Sequence, residues 1–274
     1  MEHTEDTFPP VSPADRYRAL LPQRLETAAI KRLLPRARAI GRMNLLDIGL
    51  PNPAASAELR ACGGTWTTVA RSPSHAAEAS AFLHADVACL GCGGEIPFAD
   101  HVFDVVVVAL DMLTAMPDTM AFIKECNRVL RPTGNLILSA QAKRPLSVLD
   151  SIRARHTKDP ANPFAPRFTE ESLFDTLKNG FDVLEVESYC KFFVEWARLR
   201  ERKLAEDGLP ESEIARQLRG RYAVSNVADK LLSFAAKGHV IIVSARRRQW
   251  SNRVGPLIVD GRSISDTVLF HPPA

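Results

Sequence analysis

The sequence predicts an α/β fold: a doubly wound, mostly parallel sheet with helices on both faces. Two observations carry that expectation. Short apolar runs bounded by glycine alternate with helix-like stretches from residue 44 to residue 140. One of the runs, FDVVVVAL (103–110), is a continuous β-branched segment of the kind found in parallel strands buried on both faces. Strand, helix and strand in that order imply βαβ units with right-handed crossovers.

The elements follow in order. Residues 1–13 are polar, hold three prolines and read as a flexible leader. Ser12 or Asp15 is placed to cap the helix that follows, whose apolar positions include Leu20, Leu21, Leu25, Ala28, Ala29, Leu33 and Leu34. NLLDIG (44–49), TWTTVA (65–70), FDVVVVAL and NLILSA (135–140) read as strands, separated by helices at Ala54–Ala61, Ser74–Ala81 and Thr119–Leu130. Residues 141–168 are proline-rich and irregular. Thr169 then caps a helix with Glu170 and Glu171 in its first turn, running to Lys178 before Gly180. FDVLEVE (181–187) alternates like an edge-proximal strand, and HVIIVSA (239–245) is the last strong strand. Between them lies a helical insertion over 190–237. The domain proper spans 14–246, and residues 247–274 form an irregular C-terminal tail with a candidate hairpin around Asp260-Gly261.

Composition narrows the function classes. With 46% hydrophobic and 24% charged residues in 274, the chain has the balance of an ordinary soluble globular protein. The N-terminus lacks the apolar core of a secretory signal, and no apolar run approaches the roughly 18–20 residues of a spanning helix. Five scattered cysteines suit a reducing compartment, so a cytoplasmic location is expected. Cys89 and Cys92 form a lone CxxC, read as two reduced thiols in a loop rather than a metal site, because no further ligands stand at matching spacing. Net charge is +3, concentrated beyond residue 140 in short clusters such as Arg198, Arg200, Arg202 and Lys203. Interleaved glutamates make these a solvated helix face rather than a nucleic-acid footprint.

Four segments then stand in a telling order: LLDIG (45–49), EIPFADHVFDVVVV (95–108), FIKECNRVLRPTGNLILS (122–139) and FTEESLFDTLKNGFDVLEVE (168–187). Together they resemble the class I S-adenosylmethionine-dependent methyltransferases, specifically the type 11 group, from about residue 40 to 245. The resemblance implies a seven-stranded Rossmann-like sheet, with HVIIVSA as its one antiparallel strand beside strand five. It also implies S-adenosylmethionine as cofactor, a small-molecule methyl acceptor, and cofactor contacts from Asp47, Gly49, Leu50, Asn52 and Asp86. Two departures stand out. The family's second and third loop glycines are Pro51 and Pro53 here, and each proline removes an N–H donor. At the end of the second strand, the family's ribose-binding acid is Ala70, with Arg71 beside it.

Two further residues are candidates for the chemistry. Asp111 follows the fourth strand, where such proteins hold a residue facing the transferring methyl or the acceptor; a cap for the next turn is the alternative. His156, in the irregular connection, is a general base or a surface residue. The aromatic residues Tyr189, Phe192, Phe193 and Trp196 read as core packing or as substrate lining. Two functions stay open: an active methyltransferase, whose in-line transfer rests on proximity and needs no dedicated acid or base, and a pseudo-methyltransferase that binds a protein partner through its insertion or tail. The sequence after strand four is ALDM, which offers nothing to a nucleic-acid methyltransferase reading.

Overall fold

A computed structural model describes residues 19–35, 37–144, 149, 168–232, 236–251, 258–259 and 262–263. His156, Ser12, Asp15 and the Asp260-Gly261 turn lie outside the described residues.

The elements run α1 (Leu21–Leu33), α2 (Ala37–Ile40), β1 (Asn44–Ile48), α3 (Pro53–Arg60), β2 (Thr65–Ala70), α4 (Pro73–Leu83), β3 (Val87–Cys89), β4 (Phe103–Val108), α5 (Met112–Ala115), α6 (Thr119–Val129) and β5 (Leu130–Gln141). Then follow α7 (Glu170–Leu177), β6 (Phe181–Tyr189), α8 (Phe192–Glu206), α9 (Glu211–Leu232), β7 (Val240–Arg247), β8 (Ile258–Val259) and β9 (Arg262–Ser263). The sheet order is β3-β2-β1-β4-β5-β7-β6-β8-β9. All six strands read from the sequence are present in chain order, and β3 makes the seventh. Pairing is parallel from β3 through β5, and β7 is antiparallel to both β5 and β6. Beyond this seven-stranded sheet two short strands of the tail are added at the β6 edge: β8 pairs with β6, and β9 pairs antiparallel with β8.

The two-residue alternation of a strand assigns the core. Along β4, Val106 and Val108 face one side, with Phe122, Ile123, Cys126, Leu173 and Leu177 of α6 and α7. Val105 and Val107 face the other, with Ile30, Leu59, Val194, Ala197, Leu218 and Tyr222 of α1, α3, α8 and α9. Burial on both faces is what the unbroken valine run required.

Local signals explain the helix boundaries. Asn52, Ser72, Asp118 and Thr169 each accept a backbone N–H at the start of α3, α4, α6 and α7. At α1 the N-cap is Leu20, with Pro22 in the first turn and the Leu20 N–H donating to Gln23 Oε1 at 3.1 Å. No described helix is long and apolar enough to cross a membrane.

The insertion is a pair of helices packed on the sheet. Asp229 of α9 accepts the Phe193 and Val194 N–H groups at 2.8 and 3.0 Å and so caps α8 from outside it. Two expectations change here. Tyr189 is buried, but Trp196 and Phe192 are exposed, and Arg221 lies 5.7 Å above the Trp196 ring. The other concerns Arg198, expected on a solvated face. It is buried, because its position on α8 falls beside Val194 and Ala197 on the core side, and it pairs there with Glu195 at 3.2 Å.

One buried amide joins the last layers. Asn127 of α6 donates to Gly180 O at 2.7 Å and Arg248 O at 3.0 Å, tying α6 to the start of β6 and the end of β7. Asn127→Ala removes both bonds, leaves Gly180 O only the Arg248 N–H, and is expected to cost about 1–3 kcal/mol in urea unfolding. An unchanged midpoint would contradict this role.

Candidate functional site

In an open α/β sheet, ligands bind beyond the carboxyl ends of the strands, where the order reverses. Here that place lies beyond β1, β2 and β4. A cavity of about 190 Å³ opens there, below the ~300–1,000 Å³ usual for small-molecule sites. Gly49 and Leu50 contribute from the loop after β1, Ala70 and Arg71 from the end of β2, Glu78 from α4, and Asp111 from the turn after β4.

The loop after β1 is built around Gly49, whose φ is +72°. A Cβ at this position would stand 2.1 Å from the Met112 sulfur, so glycine is demanded by both conformation and contact. The Gly49 N–H donates to Val69 O at 2.9 Å, which ties the loop to β2. Pro51 and Pro53 both border the cavity, and Pro53 opens α3.

Asp47, Asn52 and Asp86 stand outside the cavity wall, each for its own reason. Asp47 is fully buried, and its carboxylate accepts from Ser56 at 3.2 Å and Thr68 at 3.0 Å. Burial pushes its pKa up to about 6, against the pull of those two hydroxyls and the nearby Arg60. It acts one step removed, by holding Ser56 and Thr68, both of which line the cavity. Asn52 uses its side-chain oxygen to cap α3, accepting from Ala54 N at 2.9 Å. Asp86 directly precedes β3, whose Val87 is level with Thr68 of β2, and it does not line the cavity.

Asp111 does reach the cavity. It sits in the left-handed region at φ 73°, at the start of α5, yet its side chain makes no cap bond, which removes the capping alternative. One carboxylate oxygen, Oδ1, is buried without a partner. Burial raises its pKa, while Arg198 and Arg202 pull it down. Behind it stand buried groups that sequence reasoning missed. Glu26 of α1 accepts the Leu110 N–H at 2.7 Å. Gln141 of β5 accepts from Arg198 at 3.2 Å and Arg202 at 3.4 Å. The available signal for Glu26 was a charged residue on the apolar face of α1, between Leu25 and Ala29. Glu78, in the cavity wall near Ala70, had no sequence signal.

The fold-level comparisons agree with this geometry. Residues 46–138 match the family model of a methyltransferase domain, type 11. Over those residues the chain is similar to that family. Solved structures share its fold at low identity. A presumed methyltransferase from Bacillus halodurans is 16% identical, with TM-score 0.56 over 81% of this chain and 98% of its own. A phosphoethanolamine N-methyltransferase from Haemonchus contortus, solved with S-adenosyl-L-methionine, is 21% identical, with TM-score 0.55 over 82% of this chain and 53% of its own. The [4+2]-cyclase SpnF is also 21% identical, with TM-score 0.54 over 84% and 83%. Comparison with curated proteins finds no significant match. A cyclase among the likenesses shows that the methyltransferase fold alone does not fix a reaction.

The buried acid behind the cavity, Glu26, has a measurable consequence. Burial pushes the Glu26 pKa to about 7, against 4.5 for a solvated glutamate. Between those values the folded protein keeps a proton that the unfolded chain releases. Stability therefore falls as pH rises from about 4.5 to about 7, by about 3 kcal/mol, and stays lower above. Glu26→Gln keeps an acceptor for Leu110 and should remove that part of the pH dependence in denaturant titrations. Identical pH profiles for wild type and variant would contradict it.

Proposed function

We propose that this domain binds S-adenosylmethionine and transfers its methyl group to a small-molecule acceptor. The observation that carries the reading is the cavity beyond the carboxyl ends of β1, β2 and β4, with Asp111 in its wall. The residues present fit the cofactor. Gly49 and Leu50 border the cavity from the loop after β1, and Asp111 borders it from the turn after β4. At the opposite end, Glu78 and Arg71 stand where Ala70 supplies no carboxylate. When bound, the cofactor supplies an electrophilic methyl group on a sulfonium. Gly49 and Leu50 hold its methionine part, while Glu78 takes the role of the missing ribose acceptor. Asp111 orients the reacting end. An in-line displacement gains chiefly from proximity, so positioning by these groups suffices. Five free thiols support a reducing, cytoplasmic setting.

A second reading rests on Pro51 and Pro53, which deny the ligand two backbone donors, and on Ala70. It makes the domain a binding or scaffolding module without cofactor. Its contact surface would include the outward stripe of Val224, Val227 and Leu231 on α9.

Calorimetric titration separates the two. The methyltransferase reading expects wild-type protein to bind S-adenosylmethionine with a micromolar Kd. It further expects Pro51→Gly combined with Ala70→Asp to change that by less than about threefold. Absence of binding at millimolar cofactor, with a gain of about tenfold or more in the double variant, would establish the module instead.

A further inference from the structure

The insertion helix α9 is apolar on two opposite sides. Ile214, Leu218 and Tyr222 recur one turn apart and are buried in the core on the sheet side. Val224, Val227 and Leu231 recur at similar spacing on the outer side, where they are 71%, 55% and 70% exposed. Of the large apolar side chains exposed among the described residues, only Met120 lies outside α8 and α9. Apolar residues scattered over a surface need no explanation, but a contiguous stripe marks a contact.

The charges beside this stripe have one sign. Arg219 and Lys230 flank it on one side and Arg221 on the other, and all three are exposed. From Arg216 to Leu232 the only acid is Asp229, which is buried and occupied by the Phe193 and Val194 N–H groups. Arg216 pairs with Glu213 one turn earlier. Arg221 stands 5.7 Å from the centre of the Trp196 ring, so an exposed tryptophan borders the stripe on that flank. Arg200 and Lys203 share the outer side of α8 with Trp196, and the exposed acid Asp207 comes only after the end of α8. A second copy laid on the stripe would set Arg219, Arg221 and Lys230 against like charges, with no acid on that face to pair them. An anionic lipid surface meets both features. Its headgroups pair the flanking cations, its acyl boundary takes the valines and leucine, and a tryptophan ring suits the level between.

We propose that the outer face of α9 docks on an anionic membrane surface, with the helix lying in the plane of the headgroups. No described helix is long and apolar enough to cross a membrane, so this attachment is peripheral. It is independent of the reaction at the cavity.

Flotation of the full chain with vesicles tests this. Phosphatidylcholine vesicles containing about one-third phosphatidylglycerol should carry about tenfold or more protein than phosphatidylcholine alone. Salt at about 0.5 M should remove most of that excess. Val227→Ser with Leu231→Ser, and separately Arg219→Glu with Lys230→Glu, should each cut binding to the mixed vesicles about tenfold or more. Thermal unfolding should not change in either variant, because all four side chains face solvent. Absence of binding to the mixed vesicles overturns the proposal, as does equal binding to the two compositions. Binding that either pair of substitutions leaves unchanged overturns it too. So does sedimentation as a dimer that Val227→Ser with Leu231→Ser converts to monomer, which would show the stripe covered by a second copy.

Discussion

The contact between Gly49 and Met112 governs the geometry of the site. No side chain fits on Gly49, because the Met112 sulfur stands where a Cβ would be. That contact clamps the loop after β1 to the turn after β4. The strand ends are tied in the same plane: Gly49 N–H donates to Val69 O at 2.9 Å, and Ala109 N–H donates to Ile48 O at 3.0 Å. Three strands therefore end flush, and the chain must turn away from the sheet on each. The cavity is the space those turns leave. Asp111 precedes Met112 directly, so the same clamp that shapes the floor fixes the one carboxylate at the β4 end.

Behind the floor the protein tolerates an uncommon density of buried charge. Glu26, Asp111, Glu195 and Arg198 converge from α1, the β4 turn and α8, with Gln141 of β5 bridging two arginines. An apolar core would be simpler and no less stable, since desolvating ions costs several kcal/mol each before pairing recovers it. Paired groups here hold the insertion helix α8 against the back of the site. Glu26 does the same for α1 through the Leu110 N–H. The insertion is thus part of the wall's support, and substitutions in α8 are felt at Asp111 through Arg198.

The architecture was legible because its strongest signal is also its strongest physical demand. FDVVVVAL is buried on both faces, and no other arrangement shelters four consecutive valines so fully. Thr169 with Glu170 and Glu171 marked α7 to the residue, because capping is local chemistry. β3 escaped notice, since its three half-buried residues carry neither alternation nor a continuous apolar run. The site was legible only where the backbone decides it. Gly49, Leu50 and Asp111 meet at the cavity because they follow strand ends, whereas Asn52 was claimed by a helix cap. Arg198 and Glu26 depend on which helix face turns inward beside a polar partner. That is a tertiary fact with no counterpart in residue spacing.

The most direct test of this account is a crystal structure of the protein soaked with S-adenosylmethionine. The account predicts density for the cofactor across the ends of β1, β2 and β4, with its adenosine beside Arg71 and Glu78 and its sulfonium nearest Asp111. Density elsewhere on the molecule, or the sulfonium turned toward β2, would contradict it.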